Sequence, residues 1–224
     1  MKIGGVILSG GKSRRMKSDK SLKKINNIPL IEIVLSKSME QLDYVFINSN
    51  NLEQYNFKGI KIDVVKDCMN GFLGPLVGVL TGMKWLKEKN RDFTHLMSFP
   101  VDSPFFPNDI VFKFSTYKNK YQIISANSSN RNHPVFSLWD LKLEEELEFS
   151  LRNGTRKIDE FKRKKKTKVV KFENFGYDPF FNINTEEDLN TAESRVLERD
   201  IWAFTTHYIK KILLQNLVLT DGEF

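Results

Sequence analysis

Short apolar runs with strand character at residues 5–8, 44–48, 60–65, 95–99 and 122–126, separated by stretches of helical spacing at 29–42 and 76–89, constrain this chain more than any other feature. Strands that alternate with helices are joined by right-handed crossovers into a mostly parallel sheet covered on both faces. The pattern therefore predicts an α/β, Rossmann-like domain. In such a sheet ligands collect at the carboxyl ends of the strands. The first strand runs straight into Ser9-Gly10-Gly11, which places a Gly-rich turn at that edge.

Past residue 126 the pattern loosens. Residues 127–132 read as a polar loop, 133–139 as a strand, 141–152 as a helix, and 168–172 and 180–183 as short strands. This half is expected to complete the sheet and to lay an insertion over its open edge, as the acceptor side of a cleft. A helix is expected over 186–197, capped by Thr185, with Glu186, Glu187 and Asp188 in a first turn whose dipole suits carboxylates. The length of 224 residues fits one domain over 1–199 and a C-terminal extension over 200–224. The extension is apolar enough, with Trp202, Phe204, Ile209, Ile212, Leu213, Leu217 and Leu219, to be a helix packed on the domain or on another subunit.

Cys68 is the single cysteine, so no intrachain disulfide forms and a disulfide-stapled secreted scaffold is excluded. No run approaches the roughly 20 apolar residues of a membrane span, and the expected setting is cytoplasmic, with no membrane partner. The net charge of +7 asks for an anionic partner. Nucleic acid is not expected, because no recognition-helix or RNP-type pattern accompanies the charge. Much of the excess lies in Lys162-Arg163-Lys164-Lys165-Lys166-Thr167-Lys168, which reads first as a solvated helix end and second as an anion site.

The segment Leu8-Ser9-Gly10-Gly11-Lys12-Ser13-Arg14-Arg15-Met16-Lys17-Ser18-Asp19-Lys20 carries the strongest chemical signal. Glycines let backbone N–H groups approach phosphate oxygens, while Arg15 and Lys20 supply charge against a polyphosphate. Neither Gly-x-x-x-x-Gly-Lys-Ser/Thr nor Gly-x-Gly-x-x-Gly spacing occurs, which disfavours P-loop and dinucleotide enzymes. Pro100-Val101-Asp102-Ser103-Pro104 places one carboxylate just past an apolar strand. Asp102 is read as holding Mg²⁺, a hard ion commonly bound by one or two carboxylates plus substrate phosphates; capping of the following turn is the plainer alternative. Asp67 and the glycines of Gly71-Phe72-Leu73-Gly74-Pro75-Leu76-Val77-Gly78 open a helix, where a flat base can lie against backbone or a turn can simply end.

Taken in order, Leu-Ser-Gly-Gly-x-Ser-x-Arg-Met-x-x-Asp-Lys, Asp67 with Gly74-Pro75-Leu76-x-Gly78, Pro-x-Asp102-x-Pro, His133-Pro134 and Phe181-Asn182-Ile183-Asn184-Thr185 resemble the molybdenum cofactor guanylyltransferase family, from Gly5 to about Leu189. The resemblance implies a nucleotidyltransferase domain that moves GMP from GTP to molybdenum-bound molybdopterin. It implies that Leu8, Ser9 and Gly10 contact GTP through backbone, that Asn48 and Asp67 contact the nucleoside, and that Asp102 binds GTP and Mg²⁺. Lys20 and Arg15 offset charge on the leaving pyrophosphate, and Asn182 and Asn184 face the molybdopterin. His133 is read as positioning a loop rather than moving a proton. The family often has Ala at Ser9, Gly at Lys17 and Pro at Glu186. A related enzyme using CTP or a sugar-phosphate acceptor is the alternative, and the extension is also read as a contact for a molybdoenzyme-maturation partner.

Overall fold

The computed structural model describes residues 2–10, 20–51, 55, 57, 61–71, 74–89, 92–174 and 176–195. Its centre is strand β1, Lys2–Leu8, which pairs in parallel with β4, Val45–Asn48, on one side and with β6, Phe93–Pro100, on the other. Outside β4 lies the short parallel strand β5, Val64–Val65. Beyond β6 come β8, Arg131–Asp140, then β7, Ile123–Ser128, then β9, Thr167–Lys171. Within this sheet of seven strands β8 alone runs antiparallel to its neighbours. A small hairpin, β2 (Lys24–Ile25) and β3 (Ile28–Pro29), stands apart; Asn26 and Asn27 at φ 48° and 68° make its turn.

Adjacent residues of the central strands are buried on opposite faces, which is why these runs read as continuously apolar rather than alternating. One face of the sheet, with Ile7, Ile47, Met97, Phe99 and Phe136, packs on α1 (Leu30–Met39) and α3 (Ile110–Ser115). The other, with Val6, Leu8, Phe46, Leu96 and Trp139, packs on α2 (Pro75–Lys89), α4 (Glu144–Arg152) and α5 (Ile158–Lys162). A third cluster joins Ile25, Leu30 and Ile33 to Ile183, Leu189 and Ala192, docking α6 (Glu186–Arg195) on the hairpin and on α1.

The α/β architecture expected from the sequence is observed. Thr185 caps α6 as expected: its Oγ1 accepts from Asp188 N at 3.1 Å while Asp188 Oδ2 accepts from Thr185 N at 2.9 Å, a reciprocal capping box. Residues 180–183 are not a strand, because their N–H groups bond to turns instead of a ladder; Phe181 N donates to Asp178 O and Ile183 N to Asp102 O. The basic run is less solvated than expected. Lys162 Nζ donates to Ser125 Oγ at 2.6 Å, Lys165 pairs with Glu146 over the Phe161 ring, and Lys168 lies 5.2 Å over the Tyr117 ring centroid. Residue 60, the end of the last expected helix at 196–197 and the extension over 200–224 lie outside the described residues. No helix among the described residues is long and apolar enough to cross a membrane.

Candidate active site

The carboxyl ends of β4, β1 and β6 emerge side by side. Ser9 N donates to Asn48 O at 3.0 Å and Val101 N to Leu8 O at 3.3 Å, so the residues that leave β1 are tied to both neighbouring strand ends. These bonds occupy the Ser9 N–H and leave Gly10 as the first residue free of the ladder. Among the described residues a Cβ at Gly10 would meet nothing within 4 Å, so none of them demands glycine there, and the position is open to close approach of a ligand. Arg15 and the rest of residues 11–19 lie outside the described residues, and Lys20 begins a short 3₁₀ turn, Lys20–Leu22.

A pocket of about 430 Å³ opens at this edge, walled by Leu8 and Gly10, by Asn48, Asn50 and Asp67, and by Gly74, Pro75 and Gly78 at the start of α2. Asn48 is 3% exposed and braces Asp67: its Nδ2 donates to Val65 O at 3.2 Å and to Asp67 Oδ1 at 2.9 Å. Asn50 braces the same carboxylate from the far side. Its Nδ2 donates to Asp67 Oδ2 at 2.8 Å, and its Oδ1 accepts from Asp67 N at 3.1 Å. Asp67 is thereby fixed at the pocket wall, with each oxygen already accepting one amide and retaining capacity for a further donor. Helix α2 comes this close because Gly78 has no side chain; a Cβ there would stand 2.4 Å from Asn48 Oδ1 and 2.6 Å from Leu8 Cδ2. Gly74, at φ +71°, turns the chain into the helix, whose unbonded N-terminal N–H groups border the pocket.

Asp102 follows β6 by two residues and is half-buried. Its backbone carbonyl accepts from Ile183 N at 2.8 Å, and the neighbouring Ser103 Oγ donates to Asn182 Oδ1 at 2.8 Å. Asn182 thus sits beside Asp102, with its Nδ2 donors taken by no acceptor among the described residues. Asn184 is one step further, its N–H given to Asp188 Oδ2 at 2.8 Å in the cap of α6. His133 is buried and stacks on Phe180 with ring centroids 4.7 Å apart. Burial pushes its pKa below the ordinary imidazole value, against the opposing pull of Asp178.

The structure therefore brings Leu8, Gly10, Asn48 and Asp67 to one pocket and sets Asp102, then Asn182, beside it. The backbone N–H of Ser9 is committed to Asn48, which leaves its carbonyl as the group through which it can meet a ligand. Ser9 Oγ instead meets Tyr55 Oη at 2.5 Å, and Tyr55 Oη donates to Ser21 Oγ at 3.1 Å. Asn50 and Tyr55 were not legible as site residues. For Asn50 the signal was its spacing of two from Asn48 just past a strand end; for Tyr55 there was none.

Comparison with known proteins gives this geometry a lineage. A family model described as the MobA-like NTP transferase domain matches residues 5–167. The molybdenum cofactor guanylyltransferase of Rhodopseudomonas palustris (strain BisB5) is 36% identical over 199 residues, covering 87% of this chain and 94% of that protein. That of Nitrobacter hamburgensis is 34% identical over 193 residues, covering 84% and 92%. Among solved structures, molybdopterin-guanine dinucleotide biosynthesis protein A from Archaeoglobus fulgidus shares the fold with a TM-score of 0.67 at 22% identity, covering 85% of this chain and 97% of that one. A 4-diphosphocytidyl-2C-methyl-D-erythritol synthase from Anaerococcus prevotii does so at 0.65 and 15% identity, covering 86% and 95%. The fold is thus common to several nucleotidyltransferases, but the sequence relationship is narrower, and the chain belongs to the molybdenum cofactor guanylyltransferase family.

Proposed function

We propose that this protein transfers GMP from GTP to molybdenum-bound molybdopterin, yielding the guanine dinucleotide cofactor and pyrophosphate. The carrying observation is the placement of Gly10 past β1, the braced Asp67 past β5 and Asp102 past β6, all at the carboxyl ends of one parallel stretch of the sheet, in a member of this family. The pocket takes the nucleoside, with Asp67 toward the guanine donors or the ribose hydroxyls. Gly10 and the basic residues Arg15 and Lys20 take the phosphates.

An oxygen of the acceptor phosphate attacks the α-phosphorus in line; the bond from that phosphorus to the bridging oxygen breaks, and pyrophosphate leaves with the electron pair. The nucleophile is already ionised, so alignment and charge neutralisation supply most of the rate, and no general base is needed. Lys20 and Arg15 offset the charge gathering on pyrophosphate. Asn182 presents amide donors to the acceptor from across Asp102. Among the described residues no three His, Cys, Asp or Glu side chains converge to hold a metal by themselves. A carboxylate just past a strand end suits Mg²⁺, which takes its other ligands from substrate phosphate and water. Held by Asp102, that ion would polarise the α-phosphate.

The test is mass spectrometry of products after incubation with each of the four NTPs, Mg²⁺ and molybdenum-loaded acceptor. GTP is expected to give the GMP adduct and pyrophosphate. Equal or better use of CTP overturns the guanylyl assignment in favour of a cytidylyltransferase.

A further inference from the structure

The described residues between β9 and α6, 172–174 and 176–185, lie in no strand or helix, yet they carry Asn182 to the side of Asp102. Beyond the backbone bonds at Phe172, Phe181 and Ile183, their course is held by side chains from the β7–β8 hairpin, at the carboxyl end of the parallel strands. The β7–β8 hairpin turns at Ser129 and Asn130, with φ 46° and 59°, so Ser128 and Arg131 form its last pair. Ser128 Oγ donates to Asp178 Oδ1 at 2.6 Å. A hydroxyl has one proton, so the 2.8 Å contact between Ser128 Oγ and His133 Nε2 is a bond donated by His133. The same Asp178 oxygen accepts Phe180 N at 2.9 Å, and His133 stacks on the Phe180 ring. Two residues later Asn182 meets Ser103, and Ile183 N meets Asp102 O.

His133 reaches this position through an irregularity in β8. The register with β7 jumps from Ser125↔Ser137 to Ala126↔His133, so Pro134, Val135 and Phe136 are looped out of the ladder. Their freed carbonyls are taken by serines: Ser137 Oγ donates to Pro134 O at 2.8 Å and Ser98 Oγ to Val135 O at 2.5 Å.

Serine, histidine and aspartate within hydrogen-bond reach raise the question of a nucleophilic triad. The proton directions answer it. A nucleophilic serine gives its proton to histidine, whereas here Ser128 gives its proton to Asp178 and receives one from His133. Ser128 and His133 are also only 1% and 6% exposed, so no substrate reaches them. What the three residues can do is hold.

We propose that Ser128, His133 and Asp178 form a positioning bracket that fixes residues 178–183 against the Asp102 turn, and so sets where Asn182 meets the phosphorylated acceptor. The bracket touches neither the pocket between β4 and α2 nor the residues that brace Asp67. Its loss should weaken use of the acceptor and leave GTP binding in place. This deepens the function proposed above and rests on it for the identity of the acceptor.

The experiment uses the full chain with Asp178→Ala, Ser128→Ala and Asp178→Asn. Asn keeps an oxygen that can accept from both Ser128 and Phe180, so it should rescue a positioning role and fail to rescue a role for charge. With GTP affinity read by calorimetry and acceptor KM by steady-state turnover, both alanine variants should raise acceptor KM about tenfold or more and move GTP affinity less than about twofold, as loss of roughly one buried hydrogen bond or more predicts. Asp178→Asn should return acceptor KM to near wild type. Hydrogen exchange gives an arm independent of turnover: amides 178–183 should lose protection in the alanine variants while those of β1 and α2 keep theirs. Unchanged protection at 178–183 in a folded alanine variant, or loss of GTP affinity in step with acceptor KM, overturns the bracket. Failure of the wild-type protein to modify the acceptor, with the exchange pattern as expected, overturns the function and leaves the bracket standing.

Discussion

Around Asn48 and Asp67 the walls of the cleft are two parallel strand ends and the first turn of α2, whereas around Asn182 they are a coil between β9 and α6. Backbone register fixes the first wall: Ser9 N is bonded to Asn48 O, and Gly78 lets the helix lie against Asn48. At the second, side chains do most of the fixing, Ser128, His133 and Asp178 on one flank and Ser103 on the other, beside the backbone bond from Ile183 N to Asp102 O. A wall made of register is hard to move without disturbing the core. A wall made of side-chain bonds can be shifted by one substitution.

Between the two walls stands Asp102, and the largest effect is expected there. Asp102→Asn should leave the backbone bond to Ile183 in place while removing the charge proposed above to anchor Mg²⁺, lowering turnover by about 100-fold or more, a few kcal/mol of barrier. Near-normal Mg²⁺-dependent turnover would show that neither wall is organised around this carboxylate.

Asp67 tests the nucleotide wall directly. Loss of hydrogen bonds to a charged group costs about 1.5–3 kcal/mol, so Asp67→Ala should lower kcat/KM for GTP by roughly 10- to 150-fold. If the carboxylate reads guanine, ATP use rises relative to GTP; if it holds ribose, every NTP is weakened alike and selectivity stays. A change in acceptor KM with GTP use unaltered would break the division into two walls.

How far each wall was legible follows from what made it. Glycine spacing and a lone carboxylate after a strand are local signals, and Gly10, Gly74, Gly78 and Asp102 could be placed from them. The bracket depends on Ser128 and Asp178, fifty residues apart and brought together by the hairpin and the return of the chain, with no local pattern to mark them. Residues 180–183 read as a strand because Phe180, Phe181 and Ile183 are apolar. Phe180 and Ile183 are indeed buried, but in two different clusters and without a ladder. The β2–β3 hairpin was missed although Asn26-Asn27 carried its turn signal.

Gly78→Ala probes the same nucleotide wall through packing. The added Cβ would strike Asn48 Oδ1, which hydrogen bonds hold in place, and Leu8 Cδ2. Overpacking of this kind costs about 1–3 kcal/mol, so Tm should fall by several degrees and GTP affinity by about tenfold as Asn48 leaves Asp67. An unchanged Tm would mean that α2 can retreat and that the wall is softer than its register suggests.

Acid should find the acceptor wall first. Burial lowers the pKa of His133, opposed by Asp178 and aided by Arg131, and burial likewise lowers that of His95 near the opposite end of β6. The unfolded chain then binds more protons than the folded one just below the ordinary imidazole pKa, so stability is full above about pH 6.5 and is lost as pH falls toward the depressed folded values. Thermal melts taken from about pH 7.5 down to about pH 5.5 should show a falling Tm, and His133→Gln should flatten part of that slope, with His95 contributing besides. Hydrogen exchange at the lower pH should open residues 178–183 before the amides of α2. A slope untouched by His133→Gln would place the acid response outside the bracket and remove pH from the comparison.

The smallest effect tests whether the nucleotide wall also contains a side-chain tie. Tyr55 Oη gives its proton to Ser21 Oγ, so Ser9 Oγ must be the donor in the 2.5 Å contact between Ser9 and Tyr55. Ser9 and Ser21 stand just outside the two ends of residues 11–19, which makes one phenol oxygen the link between them. Tyr55→Phe removes that oxygen and keeps the ring, which lies parallel to Phe57 with centroids 6.0 Å apart. One hydrogen bond is worth about 0.5–1.5 kcal/mol, so KM for GTP should rise about two- to tenfold with little change in acceptor KM. Ser9→Ala should do the same, and the two together should be no worse than either alone, because both cut one chain of hydroxyls. Additive effects would mean that Ser9 and Tyr55 act separately, and a rise in acceptor KM instead would place the tie on the other wall.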